Sequence, residues 1–331
     1  MKQILNKLFD YQRLSAAEAS ELFRGITQGR YNDVQIASLM TVFLMRNISL
    51  EELNGFKEAL LEFHVPVDFG GNDYIDIVGT GGDGKDTFNI SSCASVVVAA
   101  SGYKVVKHGN YGATSVSGAS NVMEQHGVRF TTDSSVLNRS LDKTNLVYLH
   151  APVFNSAMKA VAGIRKDLGV RSFFNMLGPL INPARPKNQL LGVYNLAMQR
   201  LYHYMLQNNE TNFSVVHSLD GCDEISLTSP FKVATLAGEK IYTPEQLGFE
   251  RSTHAQLHSG KTLDEAAAIF DAVLDGRATA AQTNAVVANA AFAIEILEPS
   301  KSIEECIAIA RESIASGRAA ATFKEFVEIN S

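Results

Sequence analysis

The chain has 331 residues, of which 46% are hydrophobic and 19% are charged, a composition typical of a globular protein with enough chain for a large core. The formal net charge of -6 argues against a general nucleic-acid-binding surface, and the polar N-terminus and short apolar runs match neither a signal peptide nor a membrane span. Three cysteines, Cys93, Cys222 and Cys306, lie far apart without a CxxC pair, which fits a reducing compartment better than a disulfide framework and does not resemble a thiolate zinc site, so we expect a soluble cytoplasmic protein.

The first sixty-odd residues have the pattern of a compact helical unit. Capping boxes open three helices here, because a side-chain acceptor is followed three residues later by an acid or amide. Gly29 ends the first of these helices, where a left-handed residue is often required. We predict a small all-helical domain over residues 1–70, joined by helices around residues 156–185. The three boxes are Ser15–Glu18, Asn32–Gln35 and Ser49–Glu52.

From Tyr74 onwards, short apolar segments alternate with helical stretches. This alternation predicts a large α/β domain over residues 71–331 with a central, mainly parallel sheet. Two more capping boxes, Thr262–Glu265 and Ser302–Glu305, open amphipathic helices near the C-terminus. The predicted strands are Tyr74–Val78, Lys104–Val106, Asn145–Leu149 and Phe213–His217.

A glycine-rich turn follows the first predicted strand and has four glycines within residues 79–84. Its spacing satisfies both the dinucleotide pattern GxGxxG and the P-loop beginning GxxxxGK. A P-loop needs Ser or Thr after the lysine to bind magnesium, whereas this chain has Asp86. A dinucleotide loop runs directly into its helix and has an acid at the end of the next strand, whereas residues 87–90 intervene here and the next strand ends at the basic Lys107. Mechanism therefore disfavours both patterns.

The same turn keeps the properties of a phosphate-binding site. Closely spaced glycines let backbone N–H groups approach an anion, and a helix that begins at Ser91 adds its dipole. Because a carboxylate repels a bare phosphate, we expect Asp83 to meet ribose hydroxyls, a backbone turn or a metal-linked water. The alternative is a tight turn that only connects a strand to a helix. The donor side chains that favour a phosphate site are Thr87, Asn89, Ser91 and Ser92.

A second donor-rich loop, residues 107–118, follows the second predicted strand and carries Lys107. Loops at the carboxyl ends of parallel strands meet at the edge where such sheets bind ligands. Two loops of this kind suit a ligand with phosphates at both ends. His108 alone is as readily a positioning or packing residue as a catalytic one.

An acidic turn follows the predicted strand Phe213–His217 and contains Asp223 and Glu224. Adjacent carboxylates at a strand end are costly unless a cation joins them. Magnesium prefers few protein carboxylates together with substrate phosphates. A solvated acidic turn is the alternative, but the two phosphate-type loops favour magnesium.

Four segments resemble the anthranilate phosphoribosyltransferase family, in the family's order and across nearly the whole chain. The resemblance implies a fold of the nucleoside phosphorylase/phosphoribosyltransferase type, a homodimer, and an active site between the two domains. It also implies transfer of the 5-phosphoribosyl group from phosphoribosyl pyrophosphate to the amine of anthranilate in tryptophan biosynthesis, with two Mg²⁺ ions per protomer. The segments are GTGGDGKDTFNISS, KHGNYGATSVSG, AMKAVAGIRKDLGVRSFFNMLGPLINP and DGCDEIS.

The resemblance also implies the site residues. For magnesium they are Ser91, Asp223 and Glu224, and Lys107 would stabilise the leaving group. For anthranilate they are Gly79, Asn110 and Arg165, with the arginine facing the carboxylate of the acceptor. For phosphoribosyl pyrophosphate they are Gly79, Gly82, Asp83, Thr87, Asn89, Ile90, Ser91, Ser92, Lys107, His108, Gly109, Asn110, Thr114, Ser115 and Ala119.

Several positions depart from the family's usual pattern, mostly on the acceptor side. Tyr111 replaces the usual arginine and Asn121 a frequent aspartate. A His-Pro pair is replaced by Asn155-Ser156, and a proline before the key arginine by Gly163. Alternative functions are a phosphoribosyltransferase with another aromatic acceptor, a nucleoside phosphorylase, and a non-catalytic binder of nucleotides or nucleic acid on the same fold.

Overall fold

The chain forms two compact units. The helical unit consists of Met1–Pro66 and Ala151–Pro183, and the sheet unit of Val67–His150 and Ala184–Ser331. An all-helical part and a large α/β part confirm the predicted fold class. The computed structural model describes residues 1–71, 73–112, 117–207 and 211–331.

The helical unit begins with four helices whose starts were predicted from their caps. At Ser15, Asn32 and Ser49 the capping boxes are complete: each cap side chain accepts a hydrogen bond from the N–H three residues on, and the backbone N–H of the cap residue donates to the side chain of that third residue. Gly29 has a φ of 69°, the left-handed conformation expected after a helix end. The helices of this unit are α1 (Lys2–Phe9), α2 (Ala16–Thr27), α3 (Asp33–Met45), α4 (Leu50–Glu62), α8 (Ala151–Phe154) and α9 (Lys159–Leu168).

An aromatic cluster forms the core of the helical unit. The Phe173 ring centroid lies 4.9 Å from that of Phe43 and 4.8 Å from that of Phe56. The Phe174 ring lies 6.0 Å from the Phe23 ring. Aromatic pairs at these separations contribute beyond their buried area. Residues 151–183 therefore share one core with the N-terminal helices.

The sheet unit is built on a seven-stranded sheet in the order β3-β2-β1-β4-β5-β6-β7. The pairs from β3 to β5 are parallel, and β6 and β7 add an antiparallel hairpin. The prediction of a mainly parallel sheet is confirmed. The carboxyl ends of β1, β2, β4 and β5 therefore share one edge. The strands are β1 (Ile75–Gly79), β2 (Val105–Gly109), β3 (Leu146–His150), β4 (Asn188–Gly192), β5 (Asn212–Ser218), β6 (Phe231–Thr235) and β7 (Gly238–Tyr242).

Helices surround this sheet, and two of them form the centre of its core. Helix α5 packs on β1 and β2, helix α12 packs on β4 and β5, and the two helices pack on each other. By length and composition α12 could cross a membrane, but 61% of it is buried inside the protein, as in the core helix of a soluble protein. The helices of this unit are α5 (Ile90–Ala100), α6 (Ala119–Gln125), α7 (Ser134–Thr144), α10 (Leu196–Leu206), α11 (Leu263–Leu274), α12 (Ala280–Leu297), α13 (Ile303–Ala315) and α14 (Arg318–Asn330).

Three local predictions were wrong in detail. Strand β2 runs to Gly109, so residues 107–109 of the predicted second loop belong to the strand. Helix α5 begins at Ile90 with Asn89 as its N-cap, one residue before the predicted start at Ser91. The box at Thr262 is half formed: its hydroxyl accepts from the N–H of Glu265, but the Glu265 carboxylate accepts from the N–H of Lys261 instead of that of Thr262. The box at Ser302 is complete.

Candidate active site

The glycine-rich turn, residues 79–86, has a backbone that ordinary residues seldom adopt. Gly81, Gly82 and Gly84 have φ values of 69°, 72° and 76°. Turns of this kind direct successive backbone N–H groups into a concavity that can bind an anion. Oδ1 of Asp83 accepts a hydrogen bond from the N–H of Lys85 at 3.0 Å. Asp83 therefore stabilises a backbone turn, one of the roles expected for it.

The acidic turn, residues 219–224, contacts the glycine-rich turn directly. Oδ2 of Asp223 accepts a hydrogen bond from the N–H of Gly81 at 2.5 Å. Oε1 of Glu224 accepts from the N–H of Ser91, in the first turn of α5, at 2.9 Å. The sheet thus brings together two segments more than 130 residues apart in sequence. Two of the backbone donors that could face a phosphate are occupied by these carboxylates.

Glycines at the ends of β1 and β4 allow this close approach. A Cβ on Gly79 would lie 2.4 Å from Oδ2 of Asp223. A Cβ on Gly192 would lie 1.6 Å from the Asp223 carbonyl oxygen. Any side chain at either position would displace the acidic turn. Sequence reasoning missed Gly192 because β4 itself was not predicted.

Burial and mutual repulsion act on the two carboxylates. Asp223 is 6% exposed, and burial, then Glu224 and Asp83, raise the pKa of its carboxyl well above the ordinary value. Burial, opposed by hydrogen bonds from Ser91, raises the pKa of Glu224 to about 7. A buried oxygen of Asp83, Oδ2, has no hydrogen-bond partner among the described residues. Repulsion among the carboxylates of Asp83, Asp223 and Glu224 favours binding of a cation between them. All the available ligand atoms are oxygens, which magnesium prefers.

Lys107 is a buried basic residue that interacts electrostatically with Glu224. Its side chain is 2% exposed, and Nζ donates a hydrogen bond to the Ile77 carbonyl oxygen at 2.5 Å. Burial lowers the pKa of Lys107, whereas Asp76 and Glu224 oppose that shift. The N–H of His108 donates to Oδ1 of Asp76 at 3.2 Å. Asp76, which sequence reasoning missed, therefore helps to hold the end of β2.

The second predicted loop joins the first through Asn89. Its Nδ2 donates a hydrogen bond to the Ser117 carbonyl oxygen at 2.6 Å, so the start of α5 is tied to the end of the loop after β2. Oδ1 of Asn110 accepts from the N–H of Tyr111 at 2.8 Å. Ala119 begins α6. Thr114 and Ser115, also predicted to bind the donor, lie outside the described residues.

The other predicted donor-site residues differ in how accessible they are. Gly82 and Thr87 are partly exposed, and Thr87 pairs with His258 in an isolated β-bridge. Ile90 and Ser92 are buried at 0% and 1% exposure, so their side chains belong to the core of the sheet unit. Gly109 lies so close to Tyr148 that a Cβ would be 2.1 Å from its hydroxyl oxygen.

Tyr111, the departure from the family pattern in this loop, is held by an acid. Its hydroxyl donates to Oε1 of Glu124 at 2.7 Å, and its ring meets the His150 ring edge-on at 4.7 Å. The hydrogen bond to Glu124 raises the pKa of Tyr111 to about 12. This position is therefore neutral and fixed, instead of positively charged.

Arg165, the predicted acceptor ligand, lies in α9 of the helical unit. Nη2 is 3.4 Å from Oδ1 of Asn175, and the guanidinium carbon lies 5.9 Å from the centre of the Phe174 ring. Burial lowers its pKa. Asn155, one of the departures, is buried and donates to the Leu60 carbonyl oxygen at 3.3 Å. The remaining predicted site residues belong to the sheet unit.

Comparisons with known proteins agree with this arrangement. The helical bundle domain of a glycosyl transferase family matches residues 2–64, and the a/b domain of that family matches residues 71–320. The chain is 64% identical over 330 residues to the anthranilate phosphoribosyltransferase of Bacteroides fragilis (strain YCH46), with 100% of both chains covered.

Solved structures give the same result. The anthranilate phosphoribosyltransferase of Thermus thermophilus matches with a TM-score of 0.91 and 32% identity over 98% of each chain. The Saccharomyces cerevisiae enzyme in complex with PRPP and Mg matches with a TM-score of 0.91 and 26% identity, over 98% of this chain and 96% of that one. The chain therefore belongs to the anthranilate phosphoribosyltransferase family.

Proposed function

We propose that the protein transfers the 5-phosphoribosyl group of phosphoribosyl pyrophosphate to the amine of anthranilate, in the cytoplasm, as a step of tryptophan biosynthesis. The products are N-(5-phosphoribosyl)anthranilate and pyrophosphate. The observation that carries the proposal is the contact between the acidic turn and the glycine-rich turn, with Asp223 bonded to Gly81 and Glu224 to Ser91. The similarity to anthranilate phosphoribosyltransferases supports it.

The donor would bind at the carboxyl edge of the sheet. The left-handed Gly82 and Gly84 would provide backbone donors for phosphate oxygens, whereas the N–H of Gly81 is bonded to Asp223. Asn89 fixes the two loops relative to each other. Lys107 contributes a buried positive charge, which stabilises the departing pyrophosphate most strongly where water is excluded. The other residues that we assign to the donor are Gly79, Gly82, Asp83, Thr87, Ile90, Ser91, Ser92, His108, Gly109, Asn110, Thr114, Ser115 and Ala119.

Magnesium would be held by Asp223, Glu224 and Ser91, with two ions per protomer. Magnesium supplies charge neutralisation for the pyrophosphate group. The protein's own part is to orient the ligands: Glu224 is aimed by the N–H of Ser91 and Asp223 by the N–H of Gly81. Burial and the mutual repulsion of the two carboxylates favour a cation here.

The acceptor would be oriented by Arg165, whose planar fork of N–H donors matches the carboxylate of anthranilate, together with Asn110 and Gly79. The C1–O bond to pyrophosphate breaks as the C1–N bond forms, and the amine proton passes to solvent. An aryl amine is neutral at neutral pH, so orientation matters more than a general base. Such orientation can be worth about 7–11 kcal/mol at its upper limit.

The direct test is loss of anthranilate fluorescence with purified protein, phosphoribosyl pyrophosphate and magnesium. Loss that EDTA abolishes is the expected result. No loss with a protein that still binds the donor would contradict anthranilate as the acceptor, and other aromatic amines would then be assayed. Phosphate-dependent cleavage of thymidine or uridine would instead identify a nucleoside phosphorylase.

The metal assignment has its own test. The double variant Asp223→Asn with Glu224→Gln should lose most turnover, because neither residue can then neutralise a cation. The rate is measured as a function of magnesium concentration. An unchanged magnesium dependence would contradict the assignment.

Arg165→Ala separates acceptor binding from donor binding. Loss of the carboxylate ligand should raise the KM for anthranilate far more than the KM for the donor. Steady-state kinetics with each substrate varied in turn give both values. If both stay at the wild-type values, Arg165 has only a structural role.

We further propose a homodimer formed through the helical unit. Apolar side chains are exposed on α1, α3 and the turn after α1: Phe9 is 56%, Tyr11 82%, Val34 75% and Met45 84% exposed. Helices α1 and α3 contact each other, and exposed apolar surface on neighbouring helices is typical of subunit interfaces. Light scattering should give twice the chain mass, and Val34→Glu with Met45→Glu should give a monomer; a monomeric wild-type protein would contradict the proposal.

A further inference from the structure

A group of three side chains with metal-binding atoms lies in the sheet unit and has no role in the proposed transfer. Asp220 and Cys222 belong to the acidic turn, and His254 begins the 3-10 helix His254–Leu257. One possible ligand atom from each residue lies within 4.8 Å of the other two. We propose that Asp220, Cys222 and His254 form a binding site for a thiophilic divalent cation such as Zn²⁺, separate from the carboxylates assigned to magnesium.

The backbone brings the two residues of the acidic turn to the same side. Gly221, between them, has a φ of 100°, in the left-handed region that favours glycine. The sulfur of Cys222 lies 3.9 Å from Nδ1 of His254, and Oδ2 of Asp220 lies 3.1 Å from its Nε2. Zinc bonds of about 2.0–2.3 Å place tetrahedral ligand atoms roughly 3.3–3.8 Å apart. These two contacts use opposite nitrogens of the His254 ring, so an ion would bind one of them. Because one ligand atom of each residue lies within 4.8 Å of the other two, side-chain shifts of about 1–1.5 Å would complete the site.

Asp220 has an oxygen available for a cation. Its Oδ1 is buried and has no hydrogen-bond partner among the described residues, whereas Oδ2 accepts from the Thr228 hydroxyl. A buried carboxylate oxygen without a partner is costly, and a bound cation removes that cost. The His254 side chain is 41% exposed, so an ion and a water molecule as fourth ligand have a route to the site.

The chemistry of these ligands distinguishes this site from the magnesium site. Sulfur and imidazole select Zn²⁺, Co²⁺ or Cd²⁺, whereas magnesium prefers an all-oxygen environment. Cys222 immediately precedes Asp223, so a cation bound here would restrain the turn that holds the Asp223 carboxylate. Lys85 brings a positive charge close to this site: its Nζ lies 3.9 Å from the position that a Cβ on Gly221 would take. Repulsion between the Lys85 ammonium group and the ion opposes cation binding.

The same combination of thiol, imidazole and carboxylate also occurs in enzymes that use a cysteine as the nucleophile. That role does not fit this group, because Cys222 is 1% exposed and a substrate carbonyl cannot reach its sulfur. A small ion that displaces the thiol proton is the better partner.

Co²⁺ titration of the whole protein in saturating magnesium tests the proposal without an activity assay. We expect one Co²⁺ per protomer with a thiolate-to-metal charge-transfer band, displaced by Zn²⁺. Cys222→Ser and His254→Gln should each abolish the band and weaken Zn²⁺ binding by roughly 100-fold or more. Mutation of residues that only hydrogen-bond to metal ligands already lowers metal affinity by about 10–100-fold. Lys85→Met should strengthen binding.

Cys306→Ser is the matched control, because Cys306 is also buried but belongs to α13. It should keep the band unchanged. His254→Gln alters a side chain that is 41% exposed, so its result does not depend on the stability of the core. Absence of a thiolate band in the wild-type protein, or its persistence in Cys222→Ser, would overturn the site.

Discussion

Replacing Gly79 with alanine tests whether the acidic turn must lie against the end of β1. A Cβ at this position would be 2.4 Å from Oδ2 of Asp223 and 3.0 Å from its Cγ, whereas ordinary contact begins at 3.4 Å. The carboxylate must therefore move by about 1 Å. Gly79 does not have a left-handed φ, so the backbone accepts alanine and the substitution acts mainly on Asp223.

A displacement of that size breaks the 2.5 Å hydrogen bond that Asp223 accepts from Gly81. Hydrogen bonds to charged groups contribute about 1.5–3 kcal/mol, which corresponds to a loss of roughly 10–150-fold in kcat/KM. Overpacking costs about 1–3 kcal/mol of stability. Most domains have about 5–15 kcal/mol available, so the variant should remain folded while its activity falls.

The assay is fluorescence loss at saturating donor with magnesium varied, alongside thermal denaturation. Gly71→Ala is the control in the same unit, because a Cβ there meets nothing within 4 Å and its φ is not left-handed. It should behave as wild type. A Gly79→Ala protein with the wild-type response to magnesium would refute the inference that the metal ligands depend on this approach.

Three further substitutions or conditions have expected outcomes. Because burial raises the pKa of Glu224 to about 7 from 4.5, the metal-free folded state holds a proton that the unfolded state releases, so the free energy of unfolding falls as pH rises through this interval. Magnesium should therefore raise Tm more at about pH 8 than at about pH 5.5, and Glu224→Gln should reduce that difference, since Asp223 still titrates; equal shifts in the wild type would contradict it. Tyr111→Arg restores a positive charge worth about 1 kcal/mol near a donor phosphate and should lower the donor KM roughly fivefold, whereas an unchanged KM would place this side chain away from the donor. Gly192→Ala should destabilise the fold itself, because its Cβ would meet the Asp223 backbone oxygen at 1.6 Å; a wild-type Tm would show that β4 can yield there.

Local sequence signals predicted much of the fold. The boxes at Ser15, Asn32, Ser49 and Ser302 are local, so a few side chains suffice to define them. The box at Thr262 is incomplete because Glu265 has a second possible donor, the N–H of Lys261, which the pattern does not encode.

Strands were harder to recognise where burial does not produce an apolar run. Strand β4 begins with Asn188 and Gln189, which are buried although polar because β4 lies inside the sheet, between β1 and β5. Strand β7, Gly238–Tyr242, is mostly exposed and charged, so it resembles a loop. Neither strand has the apolar pattern that identified β1 and β5.

The site was predicted as separate loops but not as a connected arrangement. Glycine spacing and adjacent acids identified both turns. The bond of Glu224 to Ser91 and the approach of Gly192 to Asp223 depend on strand order, which the sequence does not contain. The grouping of Cys222 with His254 was missed for the same reason, because the two residues are distant in sequence and no CxxC spacing marks them.

The discontinuous helical unit has a consequence for synthesis on the ribosome. Phe43 and Phe56 pack against Phe173. After Phe56 has been synthesised, residues 57–172 must follow before Phe173 is available to cover them. At about 5–20 residues per second this delay is roughly 6–23 s. During that time the nascent chain exposes aromatic surface while part of the sheet is already emerging. Chaperone occupancy of the nascent chain should therefore persist until Phe173 and Phe174 leave the exit tunnel.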